Sequence, residues 1–224
     1  MRLLLISSSN VHGYGYLDHP EPEIRAILSG ISEVAFVPFA SHDHDAYTST
    51  VRERFGRMSI EVTQVREVAD VERASAIFVG GGNTFRLLKT LYERALLEPI
   101  RRRVFDGMPY IGSSAGTNIA APTIKTTNDM PIVQPPSFDA LALVPFQINP
   151  HYVDPEPSST HKGETREQRI LEFLQENTTP VIGLREGSAL RIENDAVTLT
   201  GLAGARLFRR GHDPIEVLPG LIVV

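Results

Sequence analysis

The sequence predicts an α/β fold, with a largely parallel sheet covered by helices on both faces and a short antiparallel tail. Two observations predict the first part: short continuous apolar runs recur along the chain, and segments of helical period lie between them. A third predicts the tail, because after Gly187 the pattern changes to short alternating pieces separated by turn residues.

Arg2 to Ser7 opens the chain as an apolar run bounded by polar residues, the pattern of a strand buried on both faces. Similar runs follow at Val34 to Phe39, Ala76 to Val79, Tyr110-Ile111 leading into Gly112, Phe146 to Ile148, and Val181 to Leu184. A helix over Ala46 to Phe55 is expected behind a polar cap, His42-Asp43-His44-Asp45. The clearest helical period covers Asn83 to Phe105, where Leu88, Leu91, Ala95 and Leu96 share a face. Another helix opens at Thr165, which has capping-box spacing to Gln168 and precedes the stripe Ile170, Phe173 and Leu174. Residues 128–145 read as a proline-rich loop, and loops of that length in compact domains are usually functional or disordered. The tail pieces are Ala189 to Ile192, Ala196 to Leu199 and Leu207 to Arg209, with Asn194-Asp195, Gly201 and Gly211 between and after them.

Composition narrows the function classes. The 224 residues, 42% of them hydrophobic, suit one domain spanning 1–224. A formal charge of −5 from scattered acids and bases, without a basic block, argues against a nucleic-acid partner. With no cysteine, disulfides, thiolate zinc sites and a cysteine nucleophile are all excluded, and covalent chemistry falls to Ser, Thr, Lys or a carboxylate. No apolar run approaches the ~20 residues of a membrane helix, and the first residues lack the cleavage region of a signal peptide. A soluble, unexported protein of the cytoplasm is therefore expected.

The strongest chemical signal is Pro109-Tyr110-Ile111-Gly112-Ser113-Ser114-Ala115-Gly116-Thr117-Asn118, a buried strand running into Gly-x-Ser-x-Gly and then into small residues. In a nucleophile elbow the central serine occupies a strained strand-to-helix turn, and the flanking glycines remove Cβ atoms that would collide there. Ser114 is thus the expected nucleophile. It needs a base, and His151 stands at the end of the Phe146 to Ile148 strand, where sites in parallel sheets assemble. A third group must orient that base, and Asp129 and Glu186 are both candidates. The glycine run Gly80 to Gly82 lacks the Lys of a P-loop and the spacing of a dinucleotide fold, and instead permits close backbone approach to a substrate. His42 to Asp45 has poor ligand spacing, so no metal site is expected there.

Five segments in order, Val79-Gly80-Gly81-Gly82-Asn83-Thr84-Phe85, the Ser114 elbow, Thr126-Thr127-Asn128-Asp129-Met130-Pro131-Ile132, Gln147-Ile148-Asn149-Pro150-His151, and His161 to Arg169, resemble the peptidase E family of aspartyl dipeptidases. The resemblance implies a class I glutamine amidotransferase-like fold with serine in place of cysteine, and hydrolysis of Asp-Xaa dipeptides through an acyl-enzyme without a cofactor. It implies an oxyanion hole of the Gly82 and Ala115 N–H groups, recognition of the substrate's aspartate by Arg166, and a homodimer. It favours Asp129 as the third triad member, since Arg185, where the family usually has Pro, stands beside Glu186 and could divert its carboxylate. Two further departures, Ser113 for the usual Trp and Thr117 for Ala, bear on pocket shape and rate. Two rival readings share the architecture: a cyanophycinase-like peptidase acting on β-linked aspartyl chains, and a non-catalytic amidotransferase-like binding protein.

Overall fold

The structure is a computed structural model and describes residues 1–156, 160 and 163–224. His161 and Lys162 of the fifth family-like segment lie outside the described residues.

In chain order the first half is β1 (Arg2–Ile6), α1 (Glu21–Ile27), β2 (Glu33–Val37), α2 (His44–Gly56), β3 (Glu61–Gln64), α3 (Val68–Arg73), β4 (Ile77–Val79), α4 (Thr84–Glu93), α5 (Leu97–Phe105), β5 (Tyr110–Ser113) and α6 (Ala115–Asn118). The second half is β6 (Gln147–Tyr152), α7 (Arg166–Glu176), β7 (Val181–Arg185), β8 (Ser188–Glu193), β9 (Ala196–Gly201), β10 (Ala205–Phe208), β11 (Ile215–Val217) and β12 (Gly220–Ile222).

The strands form an eight-stranded sheet, β12-β9-β8-β1-β5-β4-β2-β3, and a four-stranded one, β11-β10-β7-β6. From β1 to β3 every pairing in the large sheet is parallel, whereas β8, β9 and β12 extend it in antiparallel fashion. The alternation along the buried strands explains their continuous apolar character. Leu3, Leu5, Val37, Ile77 and Val79 face one core with Leu87, Leu91 and Ile100, while Leu4, Ile6, Phe36 and Phe78 face another with Ile24, Ile27, Val51 and Phe55. Helices therefore cover both faces, as the sequence pattern implies.

Three differences from the sequence reading are instructive. β6 and β7 do not join the large sheet; they pair in parallel in the smaller one, under α7, and the antiparallel tail is divided between the two sheets. β3, β11 and β12 are short strands without a clear apolar run. The expected helix 83–105 is two helices. Pro99 has no N–H to give and its ring would crowd the Ala95 carbonyl of a continuing helix, so it is accommodated only in the first turn of α5. α4 stops instead in a Schellman turn: Ala95 adopts φ 52°, Leu96 N–H donates to Leu91 O at 2.9 Å, and Ala95 N–H donates to Tyr92 O at 3.0 Å. Leu91 and Leu96 are both fully buried there, while Ala95 is exposed rather than on the apolar face.

The two expected caps are present. Asp43 accepts the Ala46 N–H at 2.9 Å and starts α2, so the His42 to Asp45 tract is a helix entrance. Thr165 and Gln168 form a reciprocal capping box at the start of α7, with bonds of 2.7 and 3.1 Å.

Candidate active site

Ser114 sits between β5 and α6 with φ 53° and ψ −107°, a conformation that strains any residue with a side chain. The flanking glycines are required by contact. A Cβ on Gly112 would fall 2.5 Å from the Gly116 carbonyl oxygen, and one on Gly116 would run into the Val79 carbonyl of β4. The turn is held by Ser114 N–H donating to Ile6 O at 3.0 Å, and by the Thr117 hydroxyl, which reaches Ile6 O at 2.6 Å and Gly112 O at 2.9 Å. Thr117 therefore acts as a fastener of the elbow.

His151 is likewise forced into place. The β6–β7 register shifts between Pro150 and Tyr152, which leaves His151 as a bulge residue with φ 54°. Bulges re-aim a side chain out of the ladder. The freed His151 N–H donates to Ser7 Oγ at 2.9 Å, and the Ser7 hydroxyl donates to Leu184 O at 2.7 Å. Nothing in the sequence singled out Ser7.

These two strained residues meet. Ser114 Oγ and His151 Nε2 are 2.8 Å apart, and His151 Nδ1 is 2.8 Å from Glu186 Oε1. A carboxylate can only accept, so the proton belongs on Nδ1, which leaves the Nε2 lone pair free to take the serine proton. Glu186 begins the turn between β7 and β8 that Gly187, at φ 83°, completes.

The preference for Asp129 as the orienting group is not met by the geometry. Its Oδ2 accepts the Thr84 N–H at 2.7 Å, and Thr127 bonds Thr84 through their hydroxyls at 3.1 Å, so Asp129 is tied to the first turn of α4. The concern about Arg185 resolves in the same structure. Its guanidinium grips Asp154 at 2.6 and 2.9 Å and Glu216 at 2.6 and 2.8 Å, a double fork that leaves Glu186 to the histidine.

The glycine loop lies against the elbow: a Cβ on Gly81 would be 3.1 Å from the Ser114 Cβ. Of its N–H groups, Gly80 donates to Val37 O at 3.1 Å, Gly81 to Tyr47 Oη at 2.9 Å and Asn83 to Ala40 O at 2.9 Å. Among the described residues no acceptor is recorded for the Gly82 or Ala115 N–H. Gly82 has φ 130°, and a Cβ there would fall 2.5 Å from Ala40 O, so glycine is obligatory.

Arg166 is the first residue of α7 and half-buried. Burial, and then the neighbouring Arg169, push its pKa down, opposed by the Asp129 carboxylate that faces it. A guanidinium still carries its charge under such a shift. The carboxylates beside it in sequence are engaged elsewhere, Glu164 with Arg169 at 3.4 Å and Glu167 with Arg206 at 3.5 Å. Ser113 is fully buried, its hydroxyl 2.7 Å from that of Ser9.

A serine, a histidine and a carboxylate in hydrogen-bonded series, with backbone N–H groups near the serine that have no acceptor among the described residues, are the parts of an acyl-transfer site. Residues 3–200 match the model of peptidase family S51. The chain belongs to that family. Over 98% of this chain and 92% of its own length, a Streptomyces coelicolor protein named peptidase E is 55% identical. A Drosophila melanogaster protein named probable alpha-aspartyl dipeptidase is 50% identical, over 97% of this chain and 93% of its own. Two solved structures share the fold: one from Listeria monocytogenes EGD-e, with TM-score 0.69 at 24% identity over 90% of this chain and 98% of that one, and a peptidase from an acI-B1 actinobacterium, with TM-score 0.68 at 18% identity over 96% of each. The S51 match ends at Thr200, so Ser114, His151 and Glu186 all fall inside it, while β10 to β12 lie beyond.

Proposed function

We propose that this S51 member is a serine dipeptidase that hydrolyses Asp-Xaa substrates through an acyl-enzyme. The observation that carries the reading is the 2.8 Å contact between Ser114 Oγ and His151 Nε2, continued at 2.8 Å to Glu186. Ser114 attacks the scissile carbonyl as His151 Nε2 takes its proton, and the imidazolium that forms is stabilised by Glu186. The carbonyl oxygen, now an oxyanion, is received by the Gly82 and Ala115 N–H groups. Collapse of the tetrahedral intermediate transfers the proton from His151 to the leaving amine and leaves aspartate esterified to Ser114. Water, deprotonated by His151, then releases aspartate and restores the hydroxyl. No cofactor enters any step.

The name of the Drosophila melanogaster relative supports aspartate as the first residue, and a desolvated guanidinium at Arg166 supports a carboxylate as the group it grips. The same reading makes the protein a homodimer of the cytoplasm, resting on the family resemblance, and has small peptides rather than nucleic acid as partners. None of the described helices is long and apolar enough to cross a membrane.

The test is a panel of Asp-Xaa, Asn-Xaa and β-Asp-Xaa dipeptides with Ser114→Ala as blank. Asp-Xaa should be cleaved, Asn-Xaa and β-Asp-Xaa much more slowly, and the blank should lose activity by ~10⁴-fold or more. Preferred cleavage of β-Asp-Xaa would instead support the cyanophycinase-like reading, and no cleavage at all the binding protein.

A further inference from the structure

The oxyanion loop is held from behind by backbone carbonyls at Gly80 and Asn83, but at Gly81 by a side chain from another helix. Tyr47 of α2 brings its phenol oxygen to 2.9 Å from the Gly81 nitrogen. Gly80 has no Cβ because that phenol fills the space, where a Cβ would be 2.6 Å from Tyr47 Oη. The ring itself is fixed by edge-on packing against Phe36, with centroids 5.0 Å apart and planes at 90°. Behind Tyr47 stands a second phenol, that of Tyr16. Tyr16 donates to Tyr47 Oη across a long 3.4 Å contact, and the hydroxyls of Ser9 and Ser113 are 2.7 Å apart.

We propose that Tyr47 is a positioning residue for the oxyanion hole, holding the Gly80–Asn83 loop so that the Gly82 N–H stays directed at the carbonyl oxygen that Ser114 attacks. The inference rests on the serine-peptidase reading and adds to it a residue that touches neither substrate nor triad. With the Gly80, Gly81 and Asn83 N–H groups each anchored, the peptide unit of Gly82 has little freedom to turn, which a φ of 130° would otherwise invite. Burial raises the pKa of both tyrosines, so the phenols stay neutral and the bond persists across the working pH range.

The decisive variant is Tyr47→Phe, which keeps the ring on Phe36 and removes only the oxygen. A buried donor left without its acceptor is costly, and about a tenfold fall in kcat on Asp-Xaa is expected. KM should stay within about twofold, since the carbonyl of the bound dipeptide is still neutral, whereas an aspartate-derived aldehyde that adds Ser114 as a hemiacetal should weaken by the same factor as kcat. Tyr16→Phe, acting only through the 3.4 Å contact, should lower kcat less. An unchanged kcat would overturn the proposal, and so would a rise in KM as large as the fall in kcat together with a lowered melting temperature, which marks general destabilisation. Amide hydrogen exchange at Gly81, measured on Ser114→Ala with and without Tyr47→Phe, reads the bond without turnover: exchange should quicken at least about tenfold, and no change refutes the proposal. A wild-type chain that cleaves no Asp-Xaa peptide would refute the substrate reading instead, and the exchange measurement would still decide whether Tyr47 holds the loop.

Discussion

Replacing Glu186 by Gln keeps the shape of the side chain that meets His151 and removes its charge. The magnitude follows from the geometry. With the contact at 2.8 Å, the two charges of the transition state are centred about 4 Å apart, an attraction of ~4 kcal/mol at an effective dielectric near 20 and ~1 kcal/mol in bulk water. The side chains are 35% and 52% exposed, so solvent screening brings the value between those limits, to about 2–3 kcal/mol. A second effect adds to it, because the Gln amide can turn its N–H groups toward Nδ1 and move the imidazole proton to Nε2, where it blocks acceptance from Ser114. Together they predict a fall in kcat of about 10²-fold with KM little changed, less than the ~10⁴-fold of a fully buried carboxylate. Asp129→Asn should act differently. Its amide oxygen can still accept the Thr84 N–H, but the charge facing Arg166 is lost, so the change should appear mainly in KM, with kcat within about fivefold. Steady-state kinetics on Asp-Xaa, together with the downfield proton resonance of His151 Nδ1–H, separates the two. A larger loss of kcat from Asp129→Asn than from Glu186→Gln, with both proteins folded, would refute the assignment.

Two other expectations follow from the charges around the site. Arg166→Met should lower kcat/KM for Asp-Xaa by about 10²-fold while narrowing the gap to Asn-Xaa, and a coupling near zero in that enzyme-by-substrate cycle would leave Arg166 only a helix-end residue. The Arg185 fork depresses the pKa of Asp154 and of Glu216, so its contribution to stability is present above the ordinary carboxylate range and is lost as pH falls through the lowered values. Arg185→Met should therefore flatten the fall in melting temperature between about pH 5 and pH 3, and an unaltered profile would mean the fork contributes no stability.

What could be read from the sequence was local. The elbow, the apolar first strand and the Thr165 capping box depend on residues within a few positions of one another, and each is found where its pattern put it. Pro99, inside the segment expected as one helix, was itself the signal for the break at Ala95. The choice between Asp129 and Glu186 was not legible, because it turns on what Arg185 binds. Asp154 and Glu216 each lie 31 residues away from it, on opposite sides, and no spacing rule joins them. The division into two sheets was hidden for a similar reason. β6 and β7 read as buried parallel strands in either sheet, and only long-range pairing assigns them.

That division explains why Ser7 matters to a site it does not enter. Ser114 follows β5 of the large sheet and His151 belongs to β6 of the small one, so their 2.8 Å contact requires the two sheets to be held in register. The end of β1 does this with consecutive residues. Ile6 O receives the Ser114 N–H and the Thr117 hydroxyl, while Ser7 Oγ receives the His151 N–H and donates to Leu184 O of β7; Ser7 N–H in turn donates to Ser188 O at the start of β8. Ser114 and His151 both hold left-handed backbone conformations, each of which costs about 1–3 kcal/mol and persists only where surrounding bonds over-determine it. The bonds that hold both strained residues converge on two adjacent positions, Ile6 at the end of β1 and Ser7 just after it. His151 thus needs no separate scaffold, because the end of β1, an interior strand of the main sheet, positions Ser114 and His151 together.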